Sequence, residues 1–349
     1  AQEEAQRADS EAEKAKEEAA IAKAVNDFLR EDLLGMASAE SQAEAQLSPD
    51  PNIELRTLLN RAAEKIDERF TDQPRVKAAI CHTIGEAYRS IGEYEKAETF
   101  HRQALEIRRR TLGEEHPETL KSMHVLAAVY HDQGRYEEAE NLLRQTLEIR
   151  RRTSGDEHPE TLKSMHALAL VYSAQGRYEE AEALQIQTLE TRRRTLGDEP
   201  SDTFMSMNNL AKFYGEQGRY EQAESLFRQT LEIHRRTLGE EHPSTLRALH
   251  NLAISYAQQG RERDAEPLFK QTLKVNRRTL GEEHPLTLTV MQSLATAIRD
   301  QGRYEEAETL ARQALDDQRR TLGEDHPSTL RSMITLALAY QGQDRYEEA

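Results

Sequence analysis

The chain has 349 residues, 32% charged and 37% hydrophobic, with no Trp, a balance that suits thin layers of helices better than one large spherical core. Its net charge of −16 argues against a general nucleic-acid binder, because phosphate neutralisation needs a surplus of Lys and Arg. One Cys supports neither an internal disulfide nor a Cys-rich zinc site, and no run of about 18 apolar residues is present to span a bilayer.

In chain order, residues 1–48 read as a charged, Ala/Glu-rich helical arm, a solvated helix running to about Leu34. It becomes amphipathic only at its end, KAVNDFLREDLL from Lys23. A loop near SPDP at Ser48 leads to a capping helix within residues 49–74, over about Asn52–Phe70. The chain opens AQEEAQRADS and stops within DRYEEA, so it is expected to be part of a longer protein.

From Arg75 the sequence repeats. RYEEAE stands at Arg135, Arg177 and Arg303, RYEQAE at Arg219 and RERDAE at Arg261, each step being 42 residues, with EYEKAE one step earlier at Glu93. The His-Pro pair keeps the same beat at His116, His158, His242, His284 and His326. Residues 75–326 make six full repeats, and 327–349 a truncated seventh whose Gly342 is displaced from the beat.

Each repeat predicts two helices. Helix A runs from Pro117 to Asp132, with Leu120, Met123, Leu126, Ala127 and Tyr130 on one face, and a Gln-Gly pair ends it. Helix B covers about Tyr136–Thr153, with Tyr136, Ala139, Leu143 and Leu147 facing inward; Gly155 closes it and Pro159 opens the next helix A. Pro267 falls early enough in its helix B to be tolerated. No β-type alternation occurs, so the expected fold is an all-α solenoid.

Most conspicuous motifs read as architecture. The His-Pro histidines lie one per loop, and packed helices about 8–10 Å apart cannot share a metal whose ligands sit about 2 Å from it. They are expected to be loop caps, and neither metal nor cofactor is expected. The runs Arg108–Arg110, Arg150–Arg152 and Arg192–Arg194 have Glu106, Glu148 and Glu190 one turn earlier, and are expected to be charge-paired, solvated helix ends. No P-loop, kinase glycine motif or activated nucleophile is present, so this chain is not expected to be an enzyme.

The spacing of Leu126-Ala127, Tyr130, Ala139 and Leu143 resembles the tetratricopeptide fingerprint. The 42-residue period, MNNLAKFY at Met207, LHNLAISY at Leu249 and the ALEIRRRTLGEEHP exit resemble the repeats of kinesin light chains and their bacterial relatives, over residues 75–349. KAVNDFLREDLL with PNIELRTLLNRAAEKIDERFTDQP resembles the segment joining a membrane helix to such repeats in bacterial, planctomycete-like serine/threonine protein kinases. The resemblance implies a right-handed α-solenoid whose helix A faces line a concave groove.

On those faces polar residues gather where the fold needs none. One series runs His82, His124, His166, Asn208, His250, Gln292; the next position runs Thr83, Val125, Ala167, Asn209, Asn251, Ser293. One turn back lie Lys121, Lys163, Met205, Arg247, Thr289 and Arg331. Amides both donate to and accept from peptide backbone, and the resemblance places that role on Asn208, Asn209 and Asn251. Lys121, Lys163 and Arg247 add positive charge to an acidic protein, which points to an acidic peptide or protein partner and not to nucleic acid or membrane insertion. The expected function is a non-catalytic scaffold, the partner-recruiting or sensory region of a bacterial membrane-anchored Ser/Thr kinase. Sensor repeats of a signalling ATPase and a free-standing adaptor are the alternatives. The expected location is a soluble arm of a membrane-anchored protein, or the cytoplasm if the chain is free-standing.

Overall fold

The computed structural model describes residues 2–34, 55–197, 201–324 and 326–348, all helix and turn. Helix α1 (Gln2–Phe28) passes into a π-helical turn, Leu29–Leu34, and α2 spans Leu55–Arg69. The helix A series is then α3 (Pro74–Ser90), α5 (Pro117–Asp132), α7 (Pro159–Ala174), α9 (Ser201–Glu216), α11 (Pro243–Gln258), α13 (Pro285–Asp300) and α15 (Pro327–Gly342). The helix B series is α4 (Tyr94–Leu112), α6 (Tyr136–Ser154), α8 (Tyr178–Leu196), α10 (Tyr220–Leu238), α12 (Glu262–Leu280) and α14 (Tyr304–Leu322). The result is an all-α solenoid in two compact units, residues 1–184 and 185–349, with the boundary inside α8.

The Glu114-Glu115-His116-Pro117 segment is a helix start. His116 Nδ1 accepts the Glu118 backbone N–H at 3.2 Å, Pro117 needs no partner at the first helical position, and Thr119 Oγ1 donates to the Gly113 carbonyl at 2.7 Å. The same cap recurs at His158, His242, His284 and His326. Pro200, which stands in the place of a sixth such histidine, and Ser48 lie outside the described residues.

Helix A ends where a residue takes positive φ. Gly302 does so at φ 78°, and one repeat later Asp344 does so at φ 60°, because Gly342 has slipped back into the last turn of α15. Ala127 and Ala139 are fully enclosed at 0% exposure, and Leu126, Tyr130, Leu143 and Leu147 are buried with them. Each such leucine contributes about 1.5–3 kcal/mol by leaving water. Ile298, in a tyrosine's place, is fully buried as well.

Within each unit the Gln-Gly-Arg turn locks one repeat to the next. Arg135 lies 4.4 Å over the Tyr130 ring and donates to Glu98 Oε2 at 2.7 Å, while Gln133 Nε2 donates to the same oxygen at 3.0 Å. Glu140, Glu224, Glu266 and Glu308 hold the corresponding Gln and Arg of the following repeat. Burial alone would raise the Glu266 carboxyl, but hydrogen bonds from Lys270, Gln301 and Arg303 outweigh it and hold its pKa at about 2.

Arg109, Arg110, Arg151, Arg152 and Arg194 are exposed as expected, but the first arginine of each run is not. Arg108, Arg150 and Arg192 are 6%, 4% and 2% exposed, not solvated. Each reaches into the next helix A: Arg150 Nη1 donates to Ser164 Oγ at 2.7 Å and to the Glu160 carbonyl at 2.8 Å, and Arg108 and Arg192 do the same with Ser122 and Ser206. A guanidinium is suited to this because its fork satisfies several acceptors on an apolar stem. Arg152 pairs with Glu115 in the loop one repeat back, and not with Glu148.

The N-terminal arm is not wholly solvated either. Ile21, Ala24 and Val25 pack on the first core, and Phe28 is 0% exposed with its ring edge-on to Phe70 at 5.9 Å. Helix α2 stands in helix B register. Arg56 meets Glu93 at 2.9 Å, across the same 37-residue separation that joins Glu98 to Arg135 but with the charges exchanged.

Candidate peptide-binding surface

The repeat arithmetic gives every helix A three kinds of position on its outward side. In the first unit Lys121 and Lys163 are exposed, whereas His124 and His166, one turn on, are half-buried. Lys121 makes no ion pair, but Lys163 Nζ is held by Glu160 at 2.7 Å, so only the first is a free cation. The His124 imidazole turns into the seam between helices, where burial, aided by the nearby Arg150, pushes it down to about 4. Its Nδ1 has no hydrogen-bond partner.

In the second unit the structure brings Asn208 and Asn209 on α9, Arg247, His250 and Asn251 on α11, and Gln292 on α13 into one set of neighbouring rungs. Asn251 Nδ2 donates to Asn208 Oδ1 at 3.2 Å, and Asn208 Nδ2 donates to the Phe204 carbonyl at 3.0 Å. Asn208 is thereby occupied on both sides, while Asn251 keeps its carbonyl oxygen. His250 Nε2 lies 3.1 Å from Ser293 Oγ and its ring is edge-on to Phe269, so it acts in the seam as His124 does; burial pushes it down to about 4. Gln292 and Asn209 are half-buried; Arg247 is exposed, without an ion pair, and borders a cleft of about 200 Å³ with Pro243, Asn276, Leu280 and Thr289.

Sequence reasoning did not foresee that the first rung is covered. Helix α1 crosses α3, and a space of about 700 Å³ between them is lined by Glu17, Val25, His82, Thr83, Arg108 and Lys121. Glu17 forms an ion pair with Arg75. The signal was present as the amphipathic change after Lys23.

Helix pairs in register, with a ladder of hydrogen-bonding side chains on one helix of each pair, define a helical-repeat protein that presents a surface. A tetratricopeptide repeat model matches residues 77–152, 126–194, 202–278, 263–316 and 290–349, and the chain belongs to that family. Among solved structures, a Podosopora anserina protein assigned as a kinesin light chain, with nearly identical TPR-like repeats, is 36% identical; the match covers 60% of this chain and 99% of that one, with a TM-score of 0.53. BtubC (BKLC) from P. vanneervenii is 21% identical over 66% of this chain and 92% of its own, with a TM-score of 0.52, and shares the fold. The apo quorum sensor NprR from B. thuringiensis shares it at 12% identity, 95% and 96% coverage and a TM-score of 0.59. A nucleotide-binding leucine-rich repeat (NLR)-like protein of Hyaloscypha variabilis is 53% identical over 45 residues, 13% of this chain. The chain spans only about 4% of that relative's length. No helix among the described residues is long and apolar enough to cross a membrane.

Proposed function

We propose that this chain is a non-catalytic scaffold whose helix A face holds an acidic peptide or protein segment. The observation that carries the reading is the rung in which Asn251 bonds Asn208 and His250 meets Ser293 across repeats, leaving the half-buried Asn251 its carbonyl oxygen one helical turn from the unpaired Arg247. Such groups hold a peptide backbone, and the exposed cations steer acidic side chains toward it. Lys121→Glu, Lys163→Glu and Arg247→Glu together are expected to abolish acidic-peptide protection of α5, α7 and α11 in hydrogen exchange, with helicity and melting unchanged. Undiminished protection in the triple variant would overturn the assignment.

The resemblance of KAVNDFLREDLL supports a parent in which the array recruits partners to a bacterial membrane-anchored Ser/Thr kinase. The 45-residue match to an NLR-like protein favours a second reading, sensor repeats of a signalling ATPase. The gene upstream of Ala1 separates them. An HRD…DFG domain followed by about 20 apolar residues supports the first; a GxxxxGK[ST] loop supports the second. A start codon directly before Ala1 leaves a free-standing adaptor.

A further inference from the structure

Because the repeats share one register, each supplies an internal control for the others, and α12 departs from that control on one face. The position of Arg263 is Glu in the other helices B: Glu95, Glu137, Glu179, Glu221 and Glu305. The position of Lys274 is likewise acidic elsewhere, at Glu106, Glu148, Glu190, Glu232 and Asp316. Arg263, Lys270 and Lys274 follow at intervals of seven and four residues, so with Pro267 and Arg277 they form a single stripe along α12. Neighbouring helices alternate charge along this stripe; on α12 every charged member is a cation.

The stripe is open. Arg263 and Lys274 are exposed and make no ion pair, whereas Lys270 is held by Glu266 and Arg277 by Glu282. It lies on the side of α12 opposite Thr272, Asn276 and Thr279, which border the cleft beside Arg247. Two further clefts flank it. One, of about 610 Å³, has Leu231, Tyr256 and Leu268 beside Arg263 and Pro267; the other, of about 500 Å³, has Leu273, Leu294 and Leu310 beside Lys274. Unpaired cations next to clefts that set leucines among charged side chains, with Glu232 and Asp264 in the first and Glu306 in the second outnumbered by Arg and Lys, complement a ligand with both carboxylates and apolar side chains.

We propose that this face of α12, with its two flanking clefts, is a second docking surface, separate from the helix A rung, for an acidic peptide segment bearing apolar residues. The eleven-residue step from Arg263 to Lys274 spans about 16 Å of helix. An extended peptide covers that distance in about five residues, so it meets both cations with acids spaced by that number and seats the intervening apolar side chains in the clefts.

The test uses the full chain and a fluorescein-labelled synthetic peptide with two Glu pairs about five residues apart and leucines between and beside them, read by anisotropy and by hydrogen-exchange protection of α12. Arg263→Glu with Lys274→Glu restores the acidic residues that the neighbouring repeats carry at the same exposed places, so the fold is expected to be kept. The double variant is expected to bind at least about tenfold more weakly and to lose protection of α12. The Lys121→Glu, Lys163→Glu, Arg247→Glu variant is expected to retain that protection, which separates this surface from the one proposed above. Absence of protection in the wild type, equal binding by the double variant, or equal loss in the helix A variant overturns the proposal. So does a single-stranded RNA that displaces the peptide and binds more tightly through the same two cations.

Discussion

At about pH 5 the protein is expected to unfold at much lower urea concentration than at about pH 7.5, because buried imidazoles resist protonation. His82, His124 and His250 are each pushed down to about 4, first by burial. Arg108, His101 and Lys121 add repulsion at His82, against the weaker pull of Glu86. Around His124 the charges are Arg150, Lys163 and His166 against Glu160. No charged neighbour contributes at His250, whose surroundings are Phe269 and Ser293. In the unfolded chain a histidine titrates near 6.5, so that state binds more protons between 6.5 and 4. The stability contributed is complete above 6.5 and is lost as pH falls through that window. By about pH 5 the loss is roughly 2 kcal/mol for each histidine, several kcal/mol in all if the sites are independent. The paired carboxylates, lowered as Glu266 is, lose their contribution only below about 4.5, so the two effects are separable. Replacing the three histidines by Asn, the residue that the register carries at Asn208, is expected to flatten the profile above about pH 5. An unchanged slope in that variant would show that the acid sensitivity lies elsewhere.

How much of this was legible beforehand depends on what the repeat made visible. Helix A at Pro117–Asp132 and helix B from Tyr136 were set by apolar spacing and by glycine and proline punctuation, all of which are local signals. The role of the arginine runs was hidden because it is a contact between helices. The clue existed: Arg108, Arg150 and Arg192 coincide with Ser122, Ser164 and Ser206, and where His234 and Asn276 replace the arginine, the serine becomes Ala248 and Val290. At the last such pair the match fails, and buried Gln318 and Ser332 both lack hydrogen-bond partners. The candidate rung was legible as a list of polar positions but not as a division of labour. Sequence spacing separates His124 from Val125 by one residue, and only packing tells that the imidazole turns into the seam while the next side chain borders the surface. The arm over the first rung was harder still, since the segment between Leu34 and Leu55 carries little pattern and lies outside the described residues.

The same register gives the sharpest packing test, at Gly85. The other helices A carry Ala there, as at Ala127, Ala211 and Ala253, opposite Leu143, Phe227 and Phe269 on helix B. The first repeat instead pairs glycine with His101, which is 0% exposed, and a Cβ on Gly85 would lie 2.7 Å from its Nε2. Neither ring nitrogen of His101 has a hydrogen-bond partner; Nε2 sits 3.3 Å from Glu86 Oε1 without bonding geometry. Gly85→Ala gains about 1 kcal/mol of helix propensity, but overpacking a rigid, enclosed ring costs about 1–3 kcal/mol. Alone, it is expected to destabilise by up to about 2 kcal/mol. His101→Leu is expected to be near neutral, since it removes a buried polar ring and loosens the contact. The double variant reproduces the Ala127/Leu143 pair and is expected to exceed wild type by about 1 kcal/mol, a coupling of roughly 1–3 kcal/mol in a double-mutant cycle. Additive effects would mean that the imidazole swings away at little cost. The first repeat would then be loosely packed around His101.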